Sequence, residues 1–371
     1  MQKCIFIFTL FYIYPFKINS IIVLSNSYSV MTDKQWTDLV TIVNGAQKQP
    51  LPVGFIIDSP WLPNWFGINI LDYFSNDELW LKANLSAVET FPDIIFLPGF
   101  WSEYGMCTEP SAFGSKCIFW KNDFPFAEKV IQTPQDIHAL KLPNPETDGL
   151  LPFTLNRLVN ARPAIEKTGH TIRFSVSRGP LNVASFLMGT TELLTAMMME
   201  PEIVHKLLRI ITDFLKAWHK LQKDTLPTID GIMMLDDIVG FIGEQEFLEF
   251  AYPYLKELYN IQAGVKLFHN DADCTVSVKY YPELGINLFN PGTQMTVKEL
   301  MDVTGNRMTI LGNIPPRDIL AAGTPDIIAR AVKDLLADTP DHTRLMLSCG
   351  GGMPPAVSSK NLHAFIRAAR S

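Results

Sequence analysis

Apolar runs of four to seven residues recur along the chain, each closed by a polar or glycine-containing turn. In order they are PVGFIID ending at Asp58, DIIFLPG at Gly99, IRFSVSRG at Gly179, GIMMLDD at Asp237, VKLFHND at Asp271, INLFNP at Pro291, MTILGNI at Ile314 and RLMLSCG at Gly350. Their apolar character does not alternate, which suits parallel strands covered by helices on the outside. Helical periodicity fills the gaps. ELLTAMMMEPEIVHKLLRIITDFLKAWHKLQ is one long amphipathic stretch with Pro201 marking a joint between two helices. EQEFLEFAYPYLKELYN puts Phe247, Phe250, Tyr254 and Leu258 on one face. TPDIIARAVKDLLAD offers Thr324 as N-cap and Pro325 at the first helical position. Eight strand–helix alternations predict a (β/α)8 TIM barrel in a single domain. A doubly wound open sheet is the competing architecture. It has fewer strands and a glycine-rich nucleotide loop after the first one, and no such loop is found here.

Two segments depart from the rhythm. Between strands two and three, SAFGSKCIFWKNDFPFAEKVI predicts a β-hairpin insertion, and PNPETDG a turn-rich connector. At the start, CIFIFTLFYIYPF follows a single Lys3, as in a secretory signal, but without a clear small-residue cleavage pattern. The run is short of the roughly 20 residues needed for a stable membrane span. The competing reading starts translation at Met31, with MTDKQWTDLVTIVNG as a first helix capped by Thr32 or Asp33. The expected organisation is therefore an apolar extension over 1–30 and a barrel domain over 31–371.

Composition changes this picture little. A chain of 371 residues, 47% hydrophobic and 19% charged, is of ordinary globular type, and a barrel of this size still has one core. The net charge of −7 and the lack of a dense basic run argue against nucleic acid as a partner and leave a small-molecule substrate. Five scattered cysteines make a poor disulfide framework, which points to a reducing, cytoplasmic compartment.

In this fold the chemistry lies at the C-terminal ends of the strands. Those ends carry Asp58, Glu103, Arg178, Asp236, Asp237, His269, Asp271, Asn290, Asn313 and Cys349. His269 and Asp271, at i and i+2, face the same side of an extended strand. Cys349 is followed by three glycines, whose bare backbone allows close approach. A His nitrogen, a thiolate and a carboxylate are ordinary zinc ligands, and three of them with one open position describe a catalytic zinc site. The alternative is a hydrogen-bonded interior histidine beside a small buried cysteine. Of the pair Asp236–Asp237, at most one side chain points into the mouth. Arg178 either binds an anionic substrate group or braces a loop. Trp61 and Trp65 either wall a substrate pocket or pack internally.

From about residue 170 onward the sequence resembles the uroporphyrinogen decarboxylase superfamily. The resemblance rests on RGPLNVASFLMGTTELLTAMMMEPEIVHKLL, LDDIVGFIGEQEFLEFAYPYLKEL, ILGNIPPRDILAAGTPDIIARAV and LSCGGGMPP. It implies a (β/α)8 barrel and one of two chemistries: metal-free decarboxylation of porphyrinogen acetate groups, or zinc-dependent methyl transfer between a corrinoid protein and a thiol. The decarboxylases carry an R-Q-A-G-R-Y loop after the first strand, where this chain has DSPWLPNWFGINILDYF with no arginine. They carry an Asp in F-S-D at strand two, where this chain has IIFLPGFW. A Tyr after strand three corresponds to Phe186, and a late His to Cys349. The methyltransferases carry H-x-C after strand five and a late Cys before a glycine turn. This chain matches them at His269 and Cys349 and departs from them at Asp271.

The resemblance thus implies a zinc enzyme of methyl-transfer type, with His269, Asp271 and Cys349 as metal ligands. Glu103, Asp237 and Arg178 would serve as catalytic groups, and Trp61, Trp65 and Asn313 as substrate contacts. A corrinoid carried by a partner protein would be the methyl donor or acceptor. The alternatives are a metal-free decarboxylase of porphyrin metabolism and a barrel that binds a tetrapyrrole or corrinoid without turnover.

Overall fold

The computed structural model of the chain is described over residues 31–57 and 60–371; the apolar extension at 1–30 and the strand-end candidate Asp58 lie outside these residues. All eight expected strands form. They are β1 (Val53–Ile56), β2 (Ile94–Leu97), β3 (Phe174–Arg178), β4 (Gly231–Leu235), β5 (Val265–Asn270), β6 (Leu288–Pro291), β7 (Thr309–Ile314) and β8 (Leu345–Cys349). They lie in one parallel sheet in the order β2-β1-β8-β7-β6-β5-β4-β3. Sequential strands are neighbours except β2 and β3, and β1 lies beside β8, with Val53 opposite Leu347, so the sheet curls into a (β/α)8 barrel. Burial on both faces, expected from the non-alternating runs, is complete in β1, β2, β6, β7 and β8.

The curled sheet ends at β2 and β3, and side chains serve the backbone there. Gln222, from an outer helix, accepts from the Val176 N–H at 3.0 Å and donates to the Val176 carbonyl at 3.1 Å. Glu109, from the segment after β2, accepts from the Arg178 N–H at 3.1 Å. Buried backbone groups on this edge therefore keep partners where another strand would supply them.

The interior is filled from one end. Met31, Trp36, Leu39 and Val43 join Ile56, Leu97, Phe174, Met233, Leu267, Leu288, Leu311 and Met346, which come from all eight strands, in one buried cluster. Helix Asp33–Val43 is a plug at the N-terminal end of the barrel, capped by Thr32 as the sequence suggested. Its last carbonyls are taken up from below the strands: Thr309 Oγ1 donates to Ile42 O at 3.1 Å and Arg344 Nη1 to Val43 O at 2.7 Å. With that end closed by apolar packing, the polar strand ends gather at the opposite, open end.

The outer helices follow the predicted pattern with one addition. Thr190–Met199 and Pro201–Thr225 divide at Glu200, with Pro201 opening the second. Pro325–Asp338 starts behind Thr324. Phe247, Phe250, Tyr254 and Leu258 are all buried on one face. However, Phe247–Ala251 is a π-helical turn before the helix Tyr252–Tyr259. Pro253 has no N–H to continue an α ladder, and the backbone widens ahead of it. The insertion between β2 and β3 contains the expected antiparallel hairpin, Cys117–Ile118 against Phe126–Ala127. No helix among the described residues is long and apolar enough to cross a membrane.

Candidate active site at the barrel mouth

The two adjacent aspartates after β4 have separate tasks. Asp236 is fully buried and turns toward the helix Pro180–Met188, accepting from the Leu181 and Asn182 N–H groups at 3.0 and 2.9 Å. It caps the helix that follows β3, satisfying donors that the helix itself cannot. Gly179 lacks a side chain for the same reason, since a Cβ there would lie 2.3 Å from Asp236 Oδ2. Burial pushes the Asp236 carboxyl up to about 8, even though the helix N–H groups pull the other way. Asp237 points the opposite way, into the mouth.

Three side chains converge there. Asp237, His269 and Asp271 each offer a ligand atom, and all three atoms lie within 4.8 Å of one another. His269 Nε2 stands 3.7 Å from Asp237 Oδ1, too far for a hydrogen bond. Asp237 Oδ1 also accepts the Asp271 N–H at 3.1 Å, which ties the end of β5 to the end of β4. Burial, the nearness of Asp271 and the opposing pull of His269 leave the Asp237 carboxyl above its ordinary value.

Asn290, at the end of β6, sets the state of His269. Its amide nitrogen donates to the carbonyls of Leu311 at 2.8 Å and Cys349 at 3.3 Å. Its oxygen must therefore face His269 Nδ1, 2.8 Å away, and accept the proton there. With the Nδ1 proton held there, the nitrogen free to act as a ligand is Nε2, aimed at the two aspartates.

The glycines after β8 are explained by the same corner. Gly351 has φ +77°, and a Cβ on it would lie 2.8 Å from Asp271 Oδ2. Gly350 packs against the backbone of Gly292 and donates its N–H to Ile314 O at 2.9 Å. Cys349 is buried, with its Sγ 3.5 Å from the Gly351 carbonyl oxygen. Cys349 and Asp271 thus approach the same glycine, while the compact ligand cluster contains Asp237 in place of the thiol.

Arg178 reaches the mouth from β3. It donates to Glu103 at 2.8 Å and lies 3.6 Å from Glu109, with Trp101 beside its guanidinium. Both carboxylates are buried. Burial disfavours the Arg178 charge, but Glu103, Glu109 and Asp237 outweigh it and hold the group protonated. Glu109 was not among the strand-end candidates. It lies on a helical turn, Thr108–Ala112, and its one sequence signal is that no other charge occurs between Glu103 and Lys116.

The remaining candidates are engaged elsewhere. Trp61 is fully buried, stacks on Trp65 and Phe96, and donates to Val357 O at 3.0 Å. Trp65 donates to Ser359 Oγ at 2.8 Å. The geometry of this pair is therefore that of internal packing between the start and the end of the barrel domain. Asn313 donates to Gly292 O at 3.0 Å and Met295 O at 2.7 Å, which fixes the loop after β6.

Known proteins carry the same fold. By structure, the chain is similar to a methyltransferase from Methanosarcina mazei, with a TM-score of 0.76 and 20% identity, covering 90% of this chain and 97% of the other. A B12-independent methionine synthase from Shewanella aligns with a TM-score of 0.51 and 12% identity over 86% of this chain and 98% of the other. By sequence, it is 24% identical over 297 residues to a uroporphyrinogen decarboxylase from Vesicomyosocius okutanii, covering 77% of this chain and 79% of that one. The model of the family described as "Uroporphyrinogen decarboxylase (URO-D)" matches residues 64–371, well upstream of the point where the resemblance is visible by motif. The chain therefore belongs to the uroporphyrinogen decarboxylase family.

Proposed function

We propose that this chain is a zinc-dependent enzyme of methyl-transfer type, moving a methyl group between a corrinoid presented by a partner protein and a thiol-like acceptor. The observation that carries the reading is the convergence of Asp237, His269 and Asp271 at the mouth, with the His269 lone pair directed at the carboxylates by Asn290. Ligand atoms that share one zinc sit about 2.0–2.2 Å from it and hence roughly 3–4 Å from each other. The 3.7 Å between His269 Nε2 and Asp237 Oδ1 suits that spacing. Two facing carboxylates also repel, and a divalent cation would relieve the repulsion.

Zinc bound there would lower the pKa of an acceptor thiol and hold it as the anion that takes the methyl group. The chain's own residues frame that event. Arg178, braced by Glu103 and Glu109, orients the polar end of the acceptor. Asn313 holds the loop beside the site. Cys349 supplies a further ligand on the zinc if its thiol turns from the Gly351 carbonyl. The test is metal content after purification in zinc. Binding is expected in the parent chain and lost in His269→Ala and Asp237→Ala, while Cys349→Ala separates a three-residue set from a larger one. Zinc well below one per chain, unaltered by these substitutions, would remove the reading.

Metal-free decarboxylation is the second reading, favoured by the names of the curated relatives. The charge at the mouth weighs against it. A polycarboxylate substrate needs several free cations. Arg178 already carries two carboxylates, and residues 60–76 after β1 contain no arginine. Turnover of uroporphyrinogen by chelator-treated protein, followed by chromatography under reducing conditions, would establish this reading instead.

A further inference from the structure

The segment that carries Glu103 and Glu109 to Arg178 also carries two cysteines. Cys107 is fully buried at the start of the helical turn Thr108–Ala112, and its carbonyl accepts the Ser111 N–H at 3.0 Å. Cys117 is half-buried and opens the hairpin opposite Ala127. The intervening turn folds one cysteine onto the other. Cys117 Sγ lies 3.9 Å from the Cys107 carbonyl oxygen and 3.6 Å from that of Ser115, and the two thiols are close enough to influence each other's ionisation. A reachable thiol in contact with a buried one is the arrangement of a reactive cysteine with its resolving partner.

We propose that Cys107 and Cys117 form an oxidisable dithiol, in which Cys117 meets hydrogen peroxide and Cys107 resolves the product into an intramolecular disulfide. The Cys117 thiolate attacks one peroxide oxygen, the O–O bond breaks, and Cys117 becomes a sulfenic acid as hydroxide leaves and takes up a proton. The Cys107 thiol then attacks the Cys117 sulfur, the S–O bond breaks, water leaves and the S–S bond forms. Two thiols lose two electrons in total, and one peroxide is reduced to two waters. Exposure gives the two cysteines the same roles. Cys117 is half-buried and within reach of peroxide, whereas Cys107 is fully buried and shielded from it. Cys274, by contrast, is buried and pushed up to about 12. The ring closed by the disulfide contains Glu109, so oxidation is linked to the brace on Arg178.

The test uses the full chain, reduced, desalted and treated with a few equivalents of hydrogen peroxide. Free thiols are then blocked with N-ethylmaleimide and the protein is digested with trypsin without reductant. Cleavage after Lys82, Lys116 and Lys121 places the cysteines on peptides 83–116 and 117–121, so a disulfide joins the two. The joined pair is expected at a dose that leaves Cys274 and Cys349 blocked by maleimide. In Cys107→Ser it should vanish, with Cys117 trapped by dimedone as the sulfenic acid. In Cys117→Ser it should vanish with Cys107 still a thiol. No joined peptide in the parent chain while Cys274 or Cys349 oxidises first would overturn the proposal, as would dimedone found on Cys107 in place of Cys117.

Discussion

Asn290 decides more at the mouth than its uncharged side chain suggests. Two backbone carbonyls take its amide protons, so its oxygen has to take the His269 Nδ1 proton, and a single tautomer results. Partners of this kind typically alter metal affinity about 10–100-fold when removed. Asn290→Ala should therefore weaken zinc binding by about that factor in a chelator competition, with the helical circular dichroism unchanged; unaltered affinity would show that His269 needs no such support. Gly351 is the second test at this scale. Alanine there must adopt φ +77° and meet Asp271 Oδ2 at 2.8 Å. Gly351→Ala should lose roughly 1–3 kcal/mol in urea unfolding and, by displacing Asp271, should weaken metal binding as well. A loss of stability alone would mean that Asp271 is not a ligand.

At the scale of elements, helix Pro201–Thr225 is held to β3 by polar contacts as well as apolar ones. His219 bonds Ser177 Oγ at 2.8 Å through Nε2 and Ser175 Oγ at 2.9 Å through Nδ1. Burial pushes its pKa down to about 3 from an ordinary 6.5. The unfolded chain takes up a proton on this residue below pH 6.5, which the native state refuses until about pH 3, so stability is lost as the pH falls through that window. The slope for one such proton is at most about 1.4 kcal/mol per pH unit. Urea midpoints between pH 7 and pH 4.5 should fall less steeply in His219→Gln than in the parent; equal slopes would contradict the assignment. The elements themselves were legible in the sequence because parallel strands covered on both faces read as unbroken apolar runs. The hairpin and the joint at Pro201 were legible for equally local reasons. The π-helical turn at Phe247–Ala251 was not, since apolar spacing there fits an α-helix equally well. At the mouth, strand position exposed Arg178, the pair Asp236–Asp237, His269 and Asp271. It did not expose Glu109, which arrives from an insertion, or the tie between Asn290 and His269, which depends on where separate strands place their ends. Nor did it decide which of Asp236 and Asp237 faces the helix, because alternation gives opposite sides without naming them.

For the whole molecule, the governing asymmetry is between the two ends of the barrel. Helix Asp33–Val43 fills one end with Trp36 and Leu39, while the other gathers the ionisable groups. Trp36, edge-on to Phe174 at 5.5 Å, is the largest side chain of the plug. Trp36→Ala should lower the unfolding free energy by about 3–5 kcal/mol with metal content retained, which would separate fold stability at one end from chemistry at the other. A substitution that also emptied the mouth of metal would show that the ends are coupled. Whether the mouth holds zinc is decided by the zinc stoichiometry of the full chain, purified in zinc, desalted and measured by elemental mass spectrometry beside His269→Ala and Asp237→Ala. About one zinc per parent chain is expected, as for a catalytic site with an open position, and a small fraction of that in either variant; zinc near background in the parent, or equal in all three, would contradict a zinc site at the mouth.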